Sequence, residues 1–578
     1  MVHSEAAKLP LETPDVPSMP FPESIGKAKP THRKKRGIFF TPTELAHFVV
    51  DWAVQSPSDR VMDPSCGEGV FLAESARRLR ELGASAKEVA SLIHGVDVLP
   101  SSAEKAARAV AANLDGLRPI IRGEDFFVAA RNGMKSELFD AVVGNPPFVR
   151  YQLFNGPSRK AAAQLIESVG VRPSKLMNAW VPFVIGAAKM TRPGGRLGLI
   201  LPAELLQVSH ASAVRRYLTS ELGFCHVIAF PQLQFDDALV EVIILLCQKG
   251  TSPGLTVVEA RTAQDLVTAS YPPQGVGRTI TPREADGKWI RFLLTTEQRQ
   301  VFDRLIASPE ISPFRDFASV DIGIVTGANS YFLLTSQQAE LIGVDKTSLR
   351  VVCRAGDLRG LKLLRSDWEH NAAKNRRVYL FSPNGRVLRR KTVREYVDEG
   401  EKAGVHLGYK CSIRDPWYRT PSIWTPDALM WRQIWMAPRL VCNTAGVVPT
   451  DTIHRVKVRP NVSLLDLVCV FHNSLTFAAA ELFGRSYGGG VLELEPSEAE
   501  RLPLPFLGGA RGMLAEADEF VRNGDIESAV SLVDHEVLLN TGRISESDLD
   551  VVRSIRRKLS TRRHIRQRSQ RATPVPST

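Results

Sequence analysis

A chain of 578 residues, 44% apolar and 24% charged, is too long for one ordinary core, and it holds no run of about 18 apolar residues that would span a bilayer. Its seven cysteines are scattered with no CxxC pair, which argues against a disulfide framework and structural zinc and fits a reducing cytoplasm. The formal charge of +12 is gathered into RKKR at 33–36 and nine cations without an acid between Arg553 and Arg571, leaving the remainder nearly neutral. Such clusters are expected of segments that meet a polyanion, the bland alternative being solvated ends that aid solubility.

In chain order, residues 1–34 are polar and Pro-rich, lack an apolar signal core and are expected to be disordered. Between 60 and 250 short apolar runs alternate with helical patterns, which predicts a parallel α/β sheet. The expected strands are RVMD (60–63), IHGVDV (93–98), PIIRGE (119–124), DAVVGN (140–145), GRLGLIL (195–201), CHVIAF (225–230) and EVIILLCQ (241–248). The last two are separated by only PQLQFDDALV, too short for a typical crossover helix, so they are expected to pair antiparallel. Residues 251–300 read as a connector, 300–505 as Gly- and Trp-rich mixed structure, and MLAEADEFVRNGDIESAVSLVDHEVLL as helices before the basic tail. The domain expectation is therefore 1–34 disordered, 35–250 catalytic, 251–510 recognition with its connector, and 511–578 helical with a basic tail.

Chemistry concentrates where the predicted strands end. VMDPSCGEGVFLAESARRL (61–79) is a strand, a small-residue loop and a helix, with Gly67 and Gly69 letting backbone approach a ligand at a helix N-terminus. Asp97 ends the second strand, where a carboxylate can accept from two ribose hydroxyls. Asp125 follows the third, placed to accept from an exocyclic amine beside Phe126. Asn145 closes the fourth in NPPF (Asn145, Pro146, Pro147, Phe148). Each Asp alone reads equally well as a turn or helix cap. Three acids and an amide at successive carboxyl ends of strands mark the edge where doubly wound sheets bind ligands.

DPSCGEGVFL, GVDV, GEDFF and NPPF in this order resemble the class I S-adenosylmethionine-dependent methyltransferases that modify exocyclic amines of DNA bases. GIFFTPTELAHFVVDWAV (37–54), GGRLGLILPAELL (194–206) and FDDALVEVIILLCQ (235–248) resemble motifs of the gamma class, the Taq-type adenine-N6 methyltransferases. DIGIVTGANSYFLL (321–334) and residues 473–505 more loosely resemble the attached recognition domains. The resemblance implies a seven-stranded class I methyltransferase sheet with its last strand antiparallel, followed by a mixed α+β recognition domain. It implies S-adenosylmethionine held by Phe40, Thr41, Asp63, Pro64, Cys66, Gly67, Gly69, Asp97, Asp125 and Phe126. Phe40 and Thr41 would lie at the methionine end, Asp63 by the amino group, Asp97 at the ribose, and Asp125 with Phe126 at the adenine. Thr41-Pro42 reads equally as a plain helix start.

An adenine amine is a poor nucleophile, its lone pair being delocalised into the ring. The Asn145 oxygen and Pro146 carbonyl can each accept one N6–H bond, drawing the nitrogen towards tetrahedral, while Pro147 stiffens the backbone. No metal is needed. The target base must leave the duplex; Phe148 would stack on one face and, by the resemblance, Phe235 on the other. Tyr151, Trp180 and Phe126 read as core or wall, and Trp417, Tyr418, Arg419, Trp431 and Arg432 as either core or DNA contacts. The expected partners are double-stranded DNA and a separate restriction endonuclease or other defence subunit, in a bacterial or archaeal cytoplasm at the nucleoid. Methyltransferases of rRNA bases or of protein glutamine share NPPF/Y motifs, and a non-catalytic modification subunit would keep the fold; all three stand as alternatives.

Overall fold

The structure, a computed structural model, describes residues 41–132, 137–148, 156–173, 177–230, 241–262, 265–266, 280–486, 490–506 and 508–571, with side chains undescribed at 132, 209, 282, 283 and 565–571. Residues 1–34, the RKKR cluster, Phe40, Tyr151 and Phe235 lie outside that set.

Among the described residues the N-terminal half is built on eight strands: β1 (Val61–Asp63), β2 (Ile93–Val96), β3 (Ile120–Arg122), β4 (Phe139–Gly144), β5 (Thr191–Pro202), β6 (Phe224–Ala229), β7 (Val242–Gln248) and β8 (Gly254–Glu259). Their order is β3-β2-β1-β4-β5-β7-β6-β8. Strands β1 to β5 pair in parallel, and β7 enters antiparallel between β5 and β6, with Cys225 opposite Cys247. This is the expected methyltransferase sheet with its reversed strand. The eighth strand is a correction: GLTVVE, expected to be connector, pairs in parallel with β6 and carries the catalytic sheet past residue 250.

The strands are apolar runs because helices cover both faces. On one side lie α1 (Thr43–Ala53), α2 (Val70–Glu81), α3 (Ala86–Leu92) and α4 (Pro100–Ala111). Helix α1 buries Leu45, Ala46, Phe48, Val49, Val50 and Ala53. Gly198 admits it, since a Cβ there would meet Val49 at 2.6 Å. On the other side lie α5 (Phe126–Asn132), α6 (Gly156–Glu167) and α7 (Trp180–Met190), and their core continues without a break into the C-terminal half.

The C-terminal half contains two four-stranded sheets. One runs Ala318–Ile322, Ile453–Val458, Ala428–Trp431, Leu440–Cys442; the other runs Leu333–Leu334, Tyr379–Leu380, Leu349–Val352, Val448–Pro449. Helices Leu464–Val470, Ser474–Phe483, Leu514–Arg522 and Ile526–Val533 follow, and a 26-residue helix, Glu546–Arg571, ends the described chain. Among the described residues no single helix is long and apolar enough to cross a membrane.

The reading of Arg553–Arg571 as a charged arm directed at a polyanion is overturned for five of its nine cations. Arg553 pairs with Asp534 and Arg556 with Glu527. Lys558 donates to the Leu293 carbonyl, Arg562 pairs with Glu241 and Glu259, and Arg563 pairs with Glu481. The segment lacks acids of its own because its counter-charges come from elsewhere in the fold.

Candidate functional site

At the carboxyl edge of the sheet, β1 runs into the loop 64–69. Asp63 is 1% exposed, and its Oδ1 accepts the Ser65 N–H at 2.9 Å. Burial drives its carboxyl up to about 8, against the Ser65 bond and with a small addition from Asp97. Gly144 is required beside it, since a Cβ there would lie 2.7 Å from Asp63 Oδ1. Pro64, the first residue of the loop, is buried. Cys66 is 4% exposed; its N–H donates to the Val96 carbonyl at 2.9 Å and its carbonyl accepts the Gly69 N–H at 2.8 Å. Burial pushes its thiol far up, so Cys66 serves the loop through backbone rather than thiolate chemistry.

Gly67 and Gly69 have different reasons to be glycine. Gly67 has φ +53°, and the direction its Cβ would take is open space. Gly69 has φ +95°, and a Cβ would meet Ala106 Cα at 2.7 Å, so here the loop passes hard against α4. Gly69 caps α2 without a side-chain acceptor, leaving the first N–H groups of that helix facing the loop. The loop is tied to β2: Asp97 accepts the Gly67 N–H at 3.0 Å and the Leu99 N–H at 2.8 Å.

Asp125 is half-buried and accepts the Val128 N–H at 3.0 Å through Oδ1, capping α5; its other oxygen has no partner among the described residues. Phe126 is 3% exposed and stacks on Phe183, with ring centroids 5.4 Å apart. Its ring belongs to the core, which corrects the expectation that it flanks the nucleobase. Trp180 is likewise fully buried.

The opposite wall is NPPF. Asn145 Nδ2 donates to Thr41 Oγ1 at 3.0 Å, joining segments 104 residues apart. Its Oδ1 is left without a partner among the described residues. Pro42 begins α1, its carbonyl accepting from Leu45, so the plain helix start and the contact with the site coexist in one dipeptide. Ser65 Oγ donates to the Asn145 carbonyl at 3.5 Å, which brings the β1 loop to the same strand end. Pro146 is buried, and half-buried Phe148 packs where the cores of the two sheet faces meet.

Two groups lie inside motifs quoted from the sequence but carry no individual signal there. Glu204, just past β5, accepts from Asn178 Nδ2 and Trp180 Nε1 at 3.4 Å each, and burial raises its carboxyl. Ser65 lies in the Gly loop but has no distinguishing spacing. In the C-terminal half four of the five named residues make contacts within the fold. Trp417 donates to Glu401 at 2.9 Å and packs on Tyr331, Tyr418 joins the same core, Trp431 lies under Arg439, and Arg432 pairs with Glu493 and Glu495. Arg419 is exposed. Among the described residues no group of three His, Cys, Asp or Glu side chains is placed to hold a metal.

The site fits S-adenosylmethionine: an open Gly67 cradle, bare helix N–H groups, and carboxyl groups at the ends of three adjacent strands. Comparison with known proteins agrees. Residues 24–269 match the family described as N-6 DNA Methylase, and residues 286–538 match the C-terminal domain of the Type II methyltransferase M.Eco57I. The Type II methyltransferase M.AccI of Acinetobacter calcoaceticus is 24% identical over 498 residues, covering 81% of this chain and 85% of its own. M.XamI of Xanthomonas campestris pv. amaranthicola is 23% identical, covering 82% and 86%. The Type IIL restriction-modification enzyme MmeI, solved with DNA, shares the fold with a TM-score of 0.58 at 13% identity over 90% of this chain and 75% of its own. With an N-6 DNA Methylase match along the catalytic sheet at residues 24–269 and Type II methyltransferase relatives along four-fifths of its length, the chain is a DNA methyltransferase that takes its methyl group from S-adenosylmethionine.

Proposed function

We propose that the reaction is methylation of adenine N6 in double-stranded DNA, on a base rotated out of the helix, with Asn145 and Pro146 as the activating groups. The observation that carries this reading is the Thr41–Asn145 bond, which holds the amide with its oxygen available as an acceptor. The Pro146 carbonyl, also without a donor among the described residues, is the second acceptor. Two acceptors on one amino group fix both of its protons and draw the nitrogen towards tetrahedral, taking its lone pair out of conjugation with the ring. Because they are set by a strand end, two prolines and a cross-chain bond, they need no reorganisation during reaction. The bound cofactor supplies an electrophilic sulfonium methyl.

For the cofactor, Asp63 is assigned to the amino group, Asp97 to the ribose and Asp125 to the adenine amine, with Thr41, Pro64, Cys66, Gly67 and Gly69 shaping the cavity; Phe40 is assigned beside Thr41. Phe148 is assigned to one face of the extruded base and Phe235 to the other. Base–aromatic stacking contributes about 1–3 kcal/mol per base, which offsets unstacking from the duplex. Recognition is assigned to the C-terminal half, following a catalytic unit that begins near residue 35. The chain is assigned to a restriction-modification setting, which its Type II relatives support; the cytoplasm and a separate endonuclease of matching specificity complete the assignment.

The test is incubation of the purified chain with labelled S-adenosylmethionine and, separately, duplex DNA, rRNA and total protein, followed by nucleoside and amino-acid analysis. Label in N6-methyladenine from DNA supports the reading. Label in methylcytosine, in RNA or in glutamine overturns it.

A further inference from the structure

Two consecutive arginines on the final helix face different halves of the molecule. Arg562 donates to Glu259 Oε1 at 2.6 Å and pairs with Glu241, its side chain 5% exposed and that of Glu241 also 5%. Glu259 ends β8, and Glu241 immediately precedes β7. Because β7 runs against its neighbours, both acids lie on the carboxyl edge of the catalytic sheet. Arg563 turns the other way, by about 100° on an α-helix. It grips Glu481 through Nε at 2.8 Å and Nη2 at 2.6 Å, and donates to the carbonyls of Trp435 and Gly490. The contact is close enough to require glycine at 490, where φ is +83° and a Cβ would lie 2.6 Å from the Arg563 carbonyl. The helix is thus fixed to the catalytic edge by Arg562 and to the C-terminal half by Arg563.

Glu241 is also joined to the reacting side of the sheet. Its carbonyl accepts the Ala203 N–H at 2.8 Å, just beyond the end of β5. Strand β5 pairs with β4 through Gly144, the residue before Asn145. Neighbouring strands lie about 4.8 Å apart, so the Arg562 anchor stands two strands, roughly 10 Å, from the strand that presents Asn145. Stability alone is a weak reason for this arrangement, since well-packed apolar side chains usually serve a buried site as well as an ion pair. What an arginine shared between two strand ends supplies is a fixed register of those ends relative to the helix.

We propose that Arg562 is a positioning residue for methyl transfer, holding the carboxyl edge at β7 and β8 against the helix that Arg563 fixes to the C-terminal half. The inference rests on the reading that methyl transfer takes place at Asn145. DNA bound by the C-terminal half is then presented to Asn145 in one geometry, and loss of the anchor degrades alignment rather than binding.

The experiment is single-turnover methylation of duplex DNA by the full chain at saturating labelled S-adenosylmethionine, for wild type, Arg562→Lys, Arg562→Met and the triple variant Arg562→Met/Glu241→Gln/Glu259→Gln. The triple variant removes the buried acids that Arg562→Met alone would leave unpaired, so it folds even if the single variant does not. Misalignment on the scale of an ångström lowers the rate constant roughly 100-fold, and a drop of about 10- to 100-fold is expected in the triple variant, with DNA and cofactor dissociation constants and turnover amplitude unchanged. Arg562→Lys, which can still pair with one acid, should recover part of the rate. A wild-type rate constant with reduced amplitude would make Arg562 a mere scaffold and overturn the proposal, as would a change in DNA affinity alone. A wild-type chain that transfers no methyl to DNA would instead overturn the adenine reading, and this inference with it.

Discussion

Replacing Thr41 by Val removes one hydrogen-bond acceptor and leaves the shape of the side chain intact, so it isolates what the Thr41–Asn145 bond does. The bond is 3.0 Å long between half-buried neutral groups, the class that contributes about 0.5–1.5 kcal/mol net. If that energy selects the amide orientation whose oxygen meets the target amine, its loss lowers the competent fraction and slows transfer roughly two- to tenfold, since about 1.4 kcal/mol is a factor of ten. Asn145→Ala removes an acceptor used in the transition state itself and is expected to be slower by about 10²–10³. The two effects are not additive, because without the amide Thr41 has nothing to orient: Thr41→Val in an Asn145→Ala background should cost nothing further. Thr41→Ser should restore most of the rate. Single-turnover methylation of duplex DNA reads all four variants. A Thr41→Val rate equal to wild type, or a full second loss in the double variant, would refute the orienting role.

Asp63 gives a pH signature. Its carboxyl sits near 8 in the fold against 3.8 in an unfolded chain, chiefly through burial. The stability it contributes is complete below about pH 4 and is lost as pH rises through about 8, so the cofactor-free protein should melt at falling temperatures across that window. Asp63→Asn should flatten the slope; an unchanged slope would place the effect elsewhere. Gly67→Ala should weaken cofactor binding while costing about 1 kcal/mol of stability for the left-handed backbone, whereas Gly69→Ala, driven into the Ala106 backbone, should lower the melting temperature first; calorimetric titration with melting curves separates them. Truncation before Arg553 removes five anchored cations and should destabilise the whole chain. An unchanged melting point would return the segment to a free arm.

Much of this was legible in the sequence because strands buried on both faces are unbroken apolar runs and ligands gather at their carboxyl ends. Asp63, Asp97, Asp125 and Asn145 were found by that rule, and the short PQLQFDDALV link was enough to reverse β7. Strand β8 escaped because a six-residue run, half of it only partly buried, is indistinguishable from a linker until its partner β6 is known. The basic helix was misread for a related reason: Arg562 and Glu259 are 303 residues apart, so local sequence displays the cations without their acids. Phe126 was placed in the ligand's wall by its position after Asp125, but Phe183 stacks on it and Gly186 makes room for it. The Thr41–Asn145 bond illustrates the same distance problem, since resemblance put each residue in the site and only the fold put them in contact.

The central claim is that Asn145 activates an adenine amine in DNA. Its most direct measurement is the modified-base map of genomic DNA from otherwise unmethylated cells expressing either the wild-type chain or Asn145→Ala, read by single-molecule sequencing. The wild-type chain should place N6-methyladenine at one recurrent sequence, and Asn145→Ala, present at equal level, should leave that sequence unmodified. The same adenines modified by Asn145→Ala, or wild-type modification confined to cytosine, would contradict the account.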